Sequence, residues 1–419
     1  MSFRSRRPRL AGCVLFLLAG AAAGEGSLVV AGGAVRADNE AVFGAFIDAL
    51  PDPAGRIAVI SAASGSPVGS AQDFTETLGR YGVAAERVVS IELSVTDDSD
   101  TDFDERKWAN NASDAAEIAK LTDVSGVWFT GGDQRRIAEV LLDDTGRATP
   151  MLEAIRGRHA AGAVIGGTSA GAAIMSNPMI TGGEPIVALL GGGADGESLT
   201  MDIGLGFFAH GLVDQHFDAR ARLGRVAIAL GVFDEKRRFA IGVDEDTAFV
   251  FSPNDSQLSV VGSSSVTLVD GREAKWRKLG ERIAIDNLTI SVLSPGDRFS
   301  LADGSYRPSA HLKPTVGNEY NDHEVVAGGG VAMPSVALSR MLGEELLDNR
   351  GASELERVTI VASSEKASAG VLFRFSQTDS SRGYWGRDSD GRSRYSVIGV
   401  GFDVVPLNVS ITRILSSDP

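Results

Sequence analysis

The sequence predicts an α/β protein whose sheet is mostly parallel and covered by helices on both faces. Short apolar runs that end in glycine or small polar residues alternate with helix-compatible stretches over residues 25–304. Continuous apolar strands that alternate with helices are typical of a parallel sheet buried on both faces. The chain of 419 residues has 50 glycines, which suit the tight turns of such a fold.

The elements follow one another in a regular order along this part of the chain. The predicted strands are short apolar runs at 27–33, 56–61, 87–93, 126–130, 163–166, 239–243 and 248–251. The predicted helices are the longer stretches at 40–50, 72–81, 135–142 and 151–160. Two further apolar runs, 258–269 and 283–293, predict β-hairpins at the end of the α/β unit.

The pattern changes after residue 304. Residues 305–330 are polar and glycine-rich, and alternating apolar and polar residues follow at 358–362, 371–375 and 400–404. Alternation of this kind predicts half-exposed strands. We therefore expect residues 305–419 to form a small β-rich extension that serves docking or stability and carries no catalytic group.

The first 24 residues have the pattern of a signal peptide. A positive segment holds four arginines, Arg4, Arg6, Arg7 and Arg9. An apolar segment starts at residue 14, and small residues follow at 21–24, where cleavage is expected. The apolar run is short for a membrane span, so we expect a secreted or periplasmic protein without stable membrane insertion. Cys13 precedes the apolar run, so lipid anchoring there is not expected.

Charge and cysteine content exclude several classes of function. The net charge is −15, which argues against nucleic acid because phosphates need a basic partner. Cys13 is the single cysteine, so a cleaved chain would have no disulfide and no cysteine nucleophile. Gly32-Gly33 follows the first strand, but the spacing of a dinucleotide-binding loop is absent.

The segment Gly167-Thr168-Ser169-Ala170-Gly171 has the spacing of a nucleophile turn. In such turns the serine lies on a sharp bend between a strand and a helix, and the flanking glycines relieve backbone clashes. An apolar strand precedes Ser169 and a helix-compatible run follows it. A backbone N–H at the start of that helix could stabilise an oxyanion.

A serine nucleophile needs a general base, and histidine is the usual one. The chain has five histidines. His216 lies in a dense polar cluster between apolar residues, at Val213-Asp214-Gln215-His216-Phe217. His210 flanks a glycine and could be a turn residue. Spacing alone favours His216 over His210 without deciding between them.

Three segments together resemble the signature blocks of the cyanophycinases, serine peptidases whose family also holds the aspartyl dipeptidases. They are Gly131-Gly132-Asp133-Gln134, the segment 167–175, and the segment 214–225, which reads Asp-Gln-His-Phe-Asp-Ala-Arg-Ala-Arg-Leu-Gly-Arg. The blocks occur in the family's order, and the resemblance covers roughly residues 27–300. The third block is the most specific, because a bare peptidase has no need of three spaced arginines.

The resemblance implies a role for each matching position. Ser169 would be the nucleophile and His216 its base, with backbone N–H groups of Gly132 or Asp133 and of Ala170 forming the oxyanion hole. A glutamate would complete the triad, with Glu184 as the first candidate and Glu197 as the second. The substrate pocket would be lined by Gln134, Asp214, Gln215, Arg220, Arg222 and Arg225.

The resemblance also implies a substrate, a fold and an assembly. The substrate would be cyanophycin, an aspartate backbone with arginine on each β-carboxyl, and the product β-aspartyl-arginine. The fold would be like that of class I glutamine amidotransferases, the protein a homodimer, and no metal or cofactor would be needed.

Two alternatives remain open from the sequence. An aspartyl dipeptidase would have the same nucleophile, but the arginines of the third block disfavour it. A non-catalytic exported binding protein on the same fold would follow if no glutamate orients His216.

Overall fold

The computed structural model describes residues 24–190, 199–325, 337–363 and 367–410. The predicted leader, apart from Gly24, and the candidate Glu197 lie outside these residues. Strands and helices alternate as expected, so the α/β class is confirmed.

The strands and helices have the following bounds. The strands are β1 Leu28–Ala31, β2 Arg56–Ile60, β3 Val88–Ile91, β4 Val124–Phe129, β5 Val164–Thr168, β6 Met179–Gly182, β7 Thr200–Asp202, β8 Leu212–Asp214, β9 Phe239–Val243, β10 Thr247–Ser252, β11 Gln257–Gly262, β12 Val266–Asp270, β13 Lys275–Leu279, β14 Arg282–Leu293, β15 Arg298–Ser300, β16 Tyr306–Arg307, β17 Lys313–Pro314, β18 Glu354–Ser363, β19 Ala367–Ser376, β20 Arg382–Arg387 and β21 Ser393–Val409. The helices are α1 Glu40–Asp48, α2 Pro67–Arg80, α3 Ala115–Ala119, α4 Gln134–Leu141, α5 Pro150–Ala160, α6 Ala170–Ala173, α7 Pro185–Leu189, α8 Leu223–Ala229 and α9 Leu338–Leu342.

Helix starts follow side chains that the sequence supplies. Asn39 accepts a hydrogen bond from the Val42 N–H at the start of α1, and Asp133 accepts one from Arg135 at the start of α4. Thr149 caps α5 in the same way, with Pro150 in the first turn. Such caps satisfy backbone donors that have no partner inside the helix.

The first sheet has the order β16-β15-β11-β10-β1-β5-β4-β2-β3. The five strands from β1 to β3 in this order are parallel, whereas β10, β11, β15 and β16 are antiparallel to their neighbours. The expected mostly parallel sheet is therefore a mixed one. Because the five parallel strands point the same way, the loops after them gather along one edge.

Both faces of the parallel strands are buried. One face packs Val29, Val59 and Trp128 against residues of α1 and α2, such as Phe46. The other face packs against α4 and α5 and also against the second sheet through Ile241. Burial on both faces explains why these strands read as continuous apolar runs.

The second sheet has the order β17-β20-β21-β14-β12-β9-β8, and β13, β18 and β19 pair with strands of this path. The extension beyond residue 304 supplies its longest strand, β21, which pairs with β14. Phe373 and Phe402 from the extension share one buried cluster with Leu212 and Ile290. The extension is thus rich in strands, but it completes this sheet instead of forming a separate appendage, because β21 pairs directly with β14 and side chains of β14, β19 and β21 share one buried cluster.

Short links carry the chain between the two sheets, and two of them lie beside the candidate site. Residues 244–246 join β9 to β10, and residues 263–265 join β11 to β12. The links touch, since Asp244 Oδ2 accepts hydrogen bonds from Ser264 Oγ at 2.8 Å and from Ser265 N at 3.1 Å. The predicted hairpin strand 258–269 is therefore two strands that lie in different sheets.

No helix in the part of the chain that the structure describes is both long and apolar enough to span a membrane.

Candidate active site

Ser169 lies on the sharp turn that its sequence context predicts, between β5 and α6. Its backbone has φ 54° and ψ −110°, a conformation that is strained for a residue with a Cβ. A Cβ on Gly167 would lie 2.5 Å from the Gly171 carbonyl oxygen, and one on Gly171 would lie 2.3 Å from the Phe129 oxygen. Both flanking positions therefore need glycine for the turn to form.

His216 follows β8 in the second sheet and lies against the loop after β1. Its N–H donates to the Gly32 carbonyl oxygen at 2.7 Å. Gly33 has φ 105°, and a Cβ there would lie 2.3 Å from Cε1 of the imidazole. The glycine pair after the first strand thus makes room for the histidine ring, which is a role that the sequence had not indicated.

Three side chains form a continuous hydrogen-bonded chain. Ser169 Oγ lies 2.9 Å from His216 Nε2, and His216 Nδ1 lies 2.6 Å from Glu245 Oε1. Glu245 belongs to the link that leaves β9. Strands β8 and β9 are parallel neighbours with Asp214 beside Gly242, so their carboxyl ends bring His216 and Glu245 together.

The prediction that Glu184 orients His216 is wrong. Glu184 is exposed just before α7, and both ring nitrogens of His216 already have other partners. The second candidate, Glu197, lies outside the described residues. His210, the alternative base, packs its ring against Phe251, with centroids 5.1 Å apart, and makes no hydrogen bond to Ser169 in the structure described.

Glu245 could have been found from the sequence. Asp244-Glu245-Asp246 directly follows the predicted buried strand 239–243, and side chains after such strands gather at the functional edge of a sheet. The missing information was that 239–243 pairs with the strand that carries His216, which is a contact between segments distant in sequence.

The surroundings of His216 favour its neutral form. Burial has the largest effect and lowers the pKa of the imidazole, the hydrogen bond to Glu245 opposes this, and the positive charges of Arg220 and Arg222 lower the pKa further. The net shift is downward, so the ring is neutral at pH 7 and can accept a proton from Ser169.

Two of the three backbone groups expected in an oxyanion hole fit that role. Within the described residues, the N–H groups of Gly132 and Ala170 have no backbone acceptor. A Cβ on Gly131 would lie 3.3 Å from Ser169 Cβ, so this loop lies directly against the serine. The Asp133 N–H instead donates to Ala63 at 2.9 Å and its side chain caps α4, so Asp133 is wrong as an oxyanion donor.

Comparison with known families decides the relationship. Residues 28–259 match the sequence pattern described as Peptidase family S51. The chain belongs to peptidase family S51. Ser169, His216 and Glu245 all lie inside the matched segment.

Curated relatives that match part of the chain are named cyanophycinase. One from Trichormus variabilis is 40% identical over 200 residues, which are 46% of this chain and 62% of the relative. One from Geminocystis herdmanii is 35% identical over 226 residues, covering 52% of this chain and 77% of the relative. The chain thus spans about three fifths of the length of the first relative, 62%.

A solved peptidase from an acI-B1 Actinobacterium has a TM-score of 0.44 and 21% identity, covering 67% of this chain and 98% of that one. Likeness at this level supports no argument about fold or activity.

Asp214 lies in a buried ion-pair cluster instead of facing a substrate. Arg225 holds both of its oxygens, with Nε 2.8 Å from Oδ2 and Nη2 2.6 Å from Oδ1, and Arg222 Nη1 lies 3.2 Å from Oδ1. Burial is the largest influence and would raise the pKa of Asp214, but the charges of Arg225 and Arg222 outweigh it and lower that pKa. Asp214, Arg222 and Arg225 therefore have a structural role beside the site, because their charged groups already bind one another.

Arg220 differs from the other two arginines of the third block. Its side chain is exposed, and its guanidinium makes no hydrogen bond or ion pair with another described residue, unlike those of Arg222 and Arg225. The positive charge of Arg220 acts on His216 and helps to lower the pKa of the imidazole. Arg220 is consequently the arginine of this block that can meet a ligand carboxylate.

The two predicted glutamines have different surroundings. Gln134 Nε2 donates to the Ile180 carbonyl oxygen at 2.8 Å, which ties the start of α4 to β6. Gln215 is buried, and no partner for its Oε1 lies within the described part of the chain. The structure therefore gives Gln134 a positioning contact and leaves one acceptor of Gln215 available.

Two further carboxyl groups lie beside the triad without a cation of their own in the described structure. Asp244 Oδ1 accepts from the Asp218 N–H at 3.1 Å. Burial, together with the charge of Asp244, raises the pKa of Asp218 to about 8. Burial also raises the pKa of Asp244 to about 6. No cluster of metal-binding side chains occurs among the residues that the structure describes.

Proposed function

We propose that this chain is an exported serine-type exopeptidase that hydrolyses cyanophycin to β-Asp-Arg dipeptides through an acyl-enzyme on Ser169. The observation that carries the proposal is the hydrogen-bonded chain from Ser169 through His216 to Glu245. A serine on a strained turn with an adjacent neutral imidazole is the arrangement needed for nucleophilic attack on a carbonyl carbon.

The steps follow from the geometry. Ser169 Oγ attacks the scissile carbonyl while His216 Nε2 takes its proton, and the N–H groups of Gly132 and Ala170 stabilise the oxyanion. His216 then protonates the leaving amine, and the acyl group stays on Ser169. A water molecule gives a proton to His216 and attacks the ester carbonyl, and His216 then returns that proton to Ser169 Oγ as the carboxylic acid leaves. Glu245 holds the imidazole and stabilises its charged form.

The substrate is proposed from the relatives named cyanophycinase and from the site's charges. Each repeat of cyanophycin carries a free carboxylate and a guanidinium. The exposed guanidinium of Arg220 suits the carboxylate, because its fork binds both oxygens. The homodimer, the export and the fold like that of class I glutamine amidotransferases are further parts of the proposal.

The test uses residues 25–419 incubated with purified cyanophycin, followed by mass analysis of the soluble products. We expect β-Asp-Arg from the unchanged protein and a fall of at least about 10⁴-fold for Ser169→Ala. Ser99→Ala is the matched control, since Ser99 is exposed and makes no side-chain hydrogen bond in the described structure. An undiminished rate for Ser169→Ala would remove the acyl-enzyme, and release of free amino acids from aspartyl dipeptides alone would favour the dipeptidase.

A further inference from the structure

We propose that Glu184 binds the guanidinium of the substrate's arginyl group and so sets the preference of the site for a cationic side chain. This inference rests on the proposed function and assigns a specificity residue to it.

A carboxylate is needed because the third block places three arginines together on one side of the site. Arg220, Arg222 and Arg225 would all repel a guanidinium. Asp214, the acid nearest to them in sequence, already binds two arginines through both of its oxygens. Asp214 therefore has no oxygen left for a further cation, and the substrate's guanidinium requires a different carboxylate.

The segment that carries Glu184 is held against this arginine cluster. Arg225 Nη1 lies 3.4 Å from the carbonyl oxygen of Gly183, the residue just before Glu184. On the other side, Gln134 binds the carbonyl oxygen of Ile180 at 2.8 Å. Two residues of the predicted pocket thus fix the backbone from which Glu184 projects.

Helix packing fixes the segment from its other end. A Cβ on Gly224 in α8 would lie 2.7 Å from Leu189 Cδ1 and 3.0 Å from the Pro185 carbonyl oxygen. Helix α7 therefore lies directly on α8, and Glu184 stands at the junction between them.

The negative charge of Glu184 acts on the arginine cluster. Burial lowers the pKa of Arg222 to about 10, and the negative charges of Asp214 and Glu184 oppose that decrease. Glu184 is nevertheless exposed, and its carboxylate has no ion pair or hydrogen bond within the described residues. It is thus close to the site and able to accept a cation.

The other acids near the triad are less suited to this role. Glu245 accepts from His216. Asp244 accepts from Ser264 and Ser265, and Asp218 lies beside it. Asp218 is the remaining rival, because its side chain is only partly buried.

Glu184 and Arg220 together match the charges of one cyanophycin repeat. Glu184 offers two acceptor oxygens to a guanidinium, and Arg220 offers paired donors to a carboxylate. Both contacts can be bidentate, which favours arginine over lysine or a neutral side chain.

The experiment compares two short substrates, β-Asp-Arg oligomers and the same oligomers with citrulline in place of arginine. Citrulline keeps the shape of arginine and lacks its charge. We expect the unchanged protein to prefer arginine by about 10- to 100-fold in kcat/KM, as a charged hydrogen bond would give. Glu184→Gln should reduce this preference to below about threefold by slowing the arginine substrate alone.

Controls separate this inference from others. Glu281→Gln makes the same chemical change at an exposed turn between β13 and β14 and should keep the preference. Binding can be measured without turnover on the Ser169→Ala protein. The ratio of the Kd for the citrulline oligomer to the Kd for the arginine oligomer should fall when Glu184→Gln is added. The inference is overturned if the Glu184→Gln protein still prefers the arginine substrate. It is also overturned if Asp218→Asn abolishes this preference and Glu184→Gln does not. An unchanged protein that cleaves neither substrate would overturn the proposed function as well.

Discussion

The two halves of the triad come from two different parts of the fold. Ser169 stands at the end of β5 in the first sheet, and its turn lies within a five-residue segment that has a glycine at each end. His216 and Glu245 stand at the ends of β8 and β9 in the second sheet, which residues beyond 304 complete.

The difference shows which features of a site are local. The nucleophile half depends on short-range backbone geometry. The base half depends on strand pairing and on the contact between the sheets, where Gly33 and His216 meet. Changes distant from Ser169 should therefore disturb His216 and Glu245 first.

The largest effect is expected from removal of the extension. A chain ending at residue 303 would lose β21 and expose Leu288, Ile290 and Val292 of β14, each almost fully buried now. Exposing one such side chain costs about 1.5–3 kcal/mol. We expect loss of cooperative thermal unfolding and of activity, with a chain ending at residue 410 as the control. A stable, active chain of residues 25–303 would show that the base half does not need the second sheet to be complete.

Gly33→Ala should disturb the base half without disturbing the nucleophile turn. The added Cβ would overlap the His216 ring, so we expect kcat to fall by about 100-fold or more while the protein stays folded. Gly82→Ala is the matched control, since Gly82 also has positive φ but open space around a Cβ. Equal activity of the two variants would contradict the close contact at His216.

The pH dependence of kcat/KM should report the charge at Arg220. His216 must be neutral to act, so activity falls on the acid side as the ring is protonated. Burial is the main cause of the lowered pKa of His216, and Arg220 adds to it. Arg220→Gln removes one lowering influence, so the acid limb should move to higher pH, whereas Arg220→Lys should leave it near its original position. A limb that moves to lower pH in Arg220→Gln would contradict this electrostatic account.

The smallest effect is expected from Asp218→Asn and concerns stability. The folded pKa of Asp218, about 8, lies above the unfolded value of about 3.9. The folded state therefore binds the extra proton between these values, and the unchanged protein loses stability as pH rises towards 8. The variant should be more stable at pH 8 by at least about 1 kcal/mol and should lose this advantage near pH 4.

Denaturant titrations at several pH values would measure this difference, with the exposed Asp73→Asn as control. An advantage of Asp218→Asn that is constant with pH would show that its carboxyl is not the titrating group.

The sequence predicted the features that depend on neighbours in the chain. The seven predicted α/β strands and the serine turn occur at or near their expected positions, because apolar runs and glycines act over short distances. Sheet pairing could not be predicted in the same way. The second sheet joins β8, β9 and β21 across nearly two hundred residues, and this pairing selects Glu245 over Glu184.

The third block shows the same limit at the level of side chains. Its spacing indicated three arginines near the site but not their partners. Arg222 and Arg225 bind Asp214 from within the same block, and only the fold reveals that Arg220 stays exposed.

The most direct measurement is the rate at which a small fluorophosphonate labels Ser169, followed by intact mass. This reagent lacks a guanidinium, so it reports the triad and not the specificity contact. We expect Glu245→Gln to slow labelling by about 10²-fold or more, and to slow it at least about 30-fold more than Glu184→Gln does. Slower labelling in Glu184→Gln than in Glu245→Gln would contradict the assignment of Glu245 as the partner of His216.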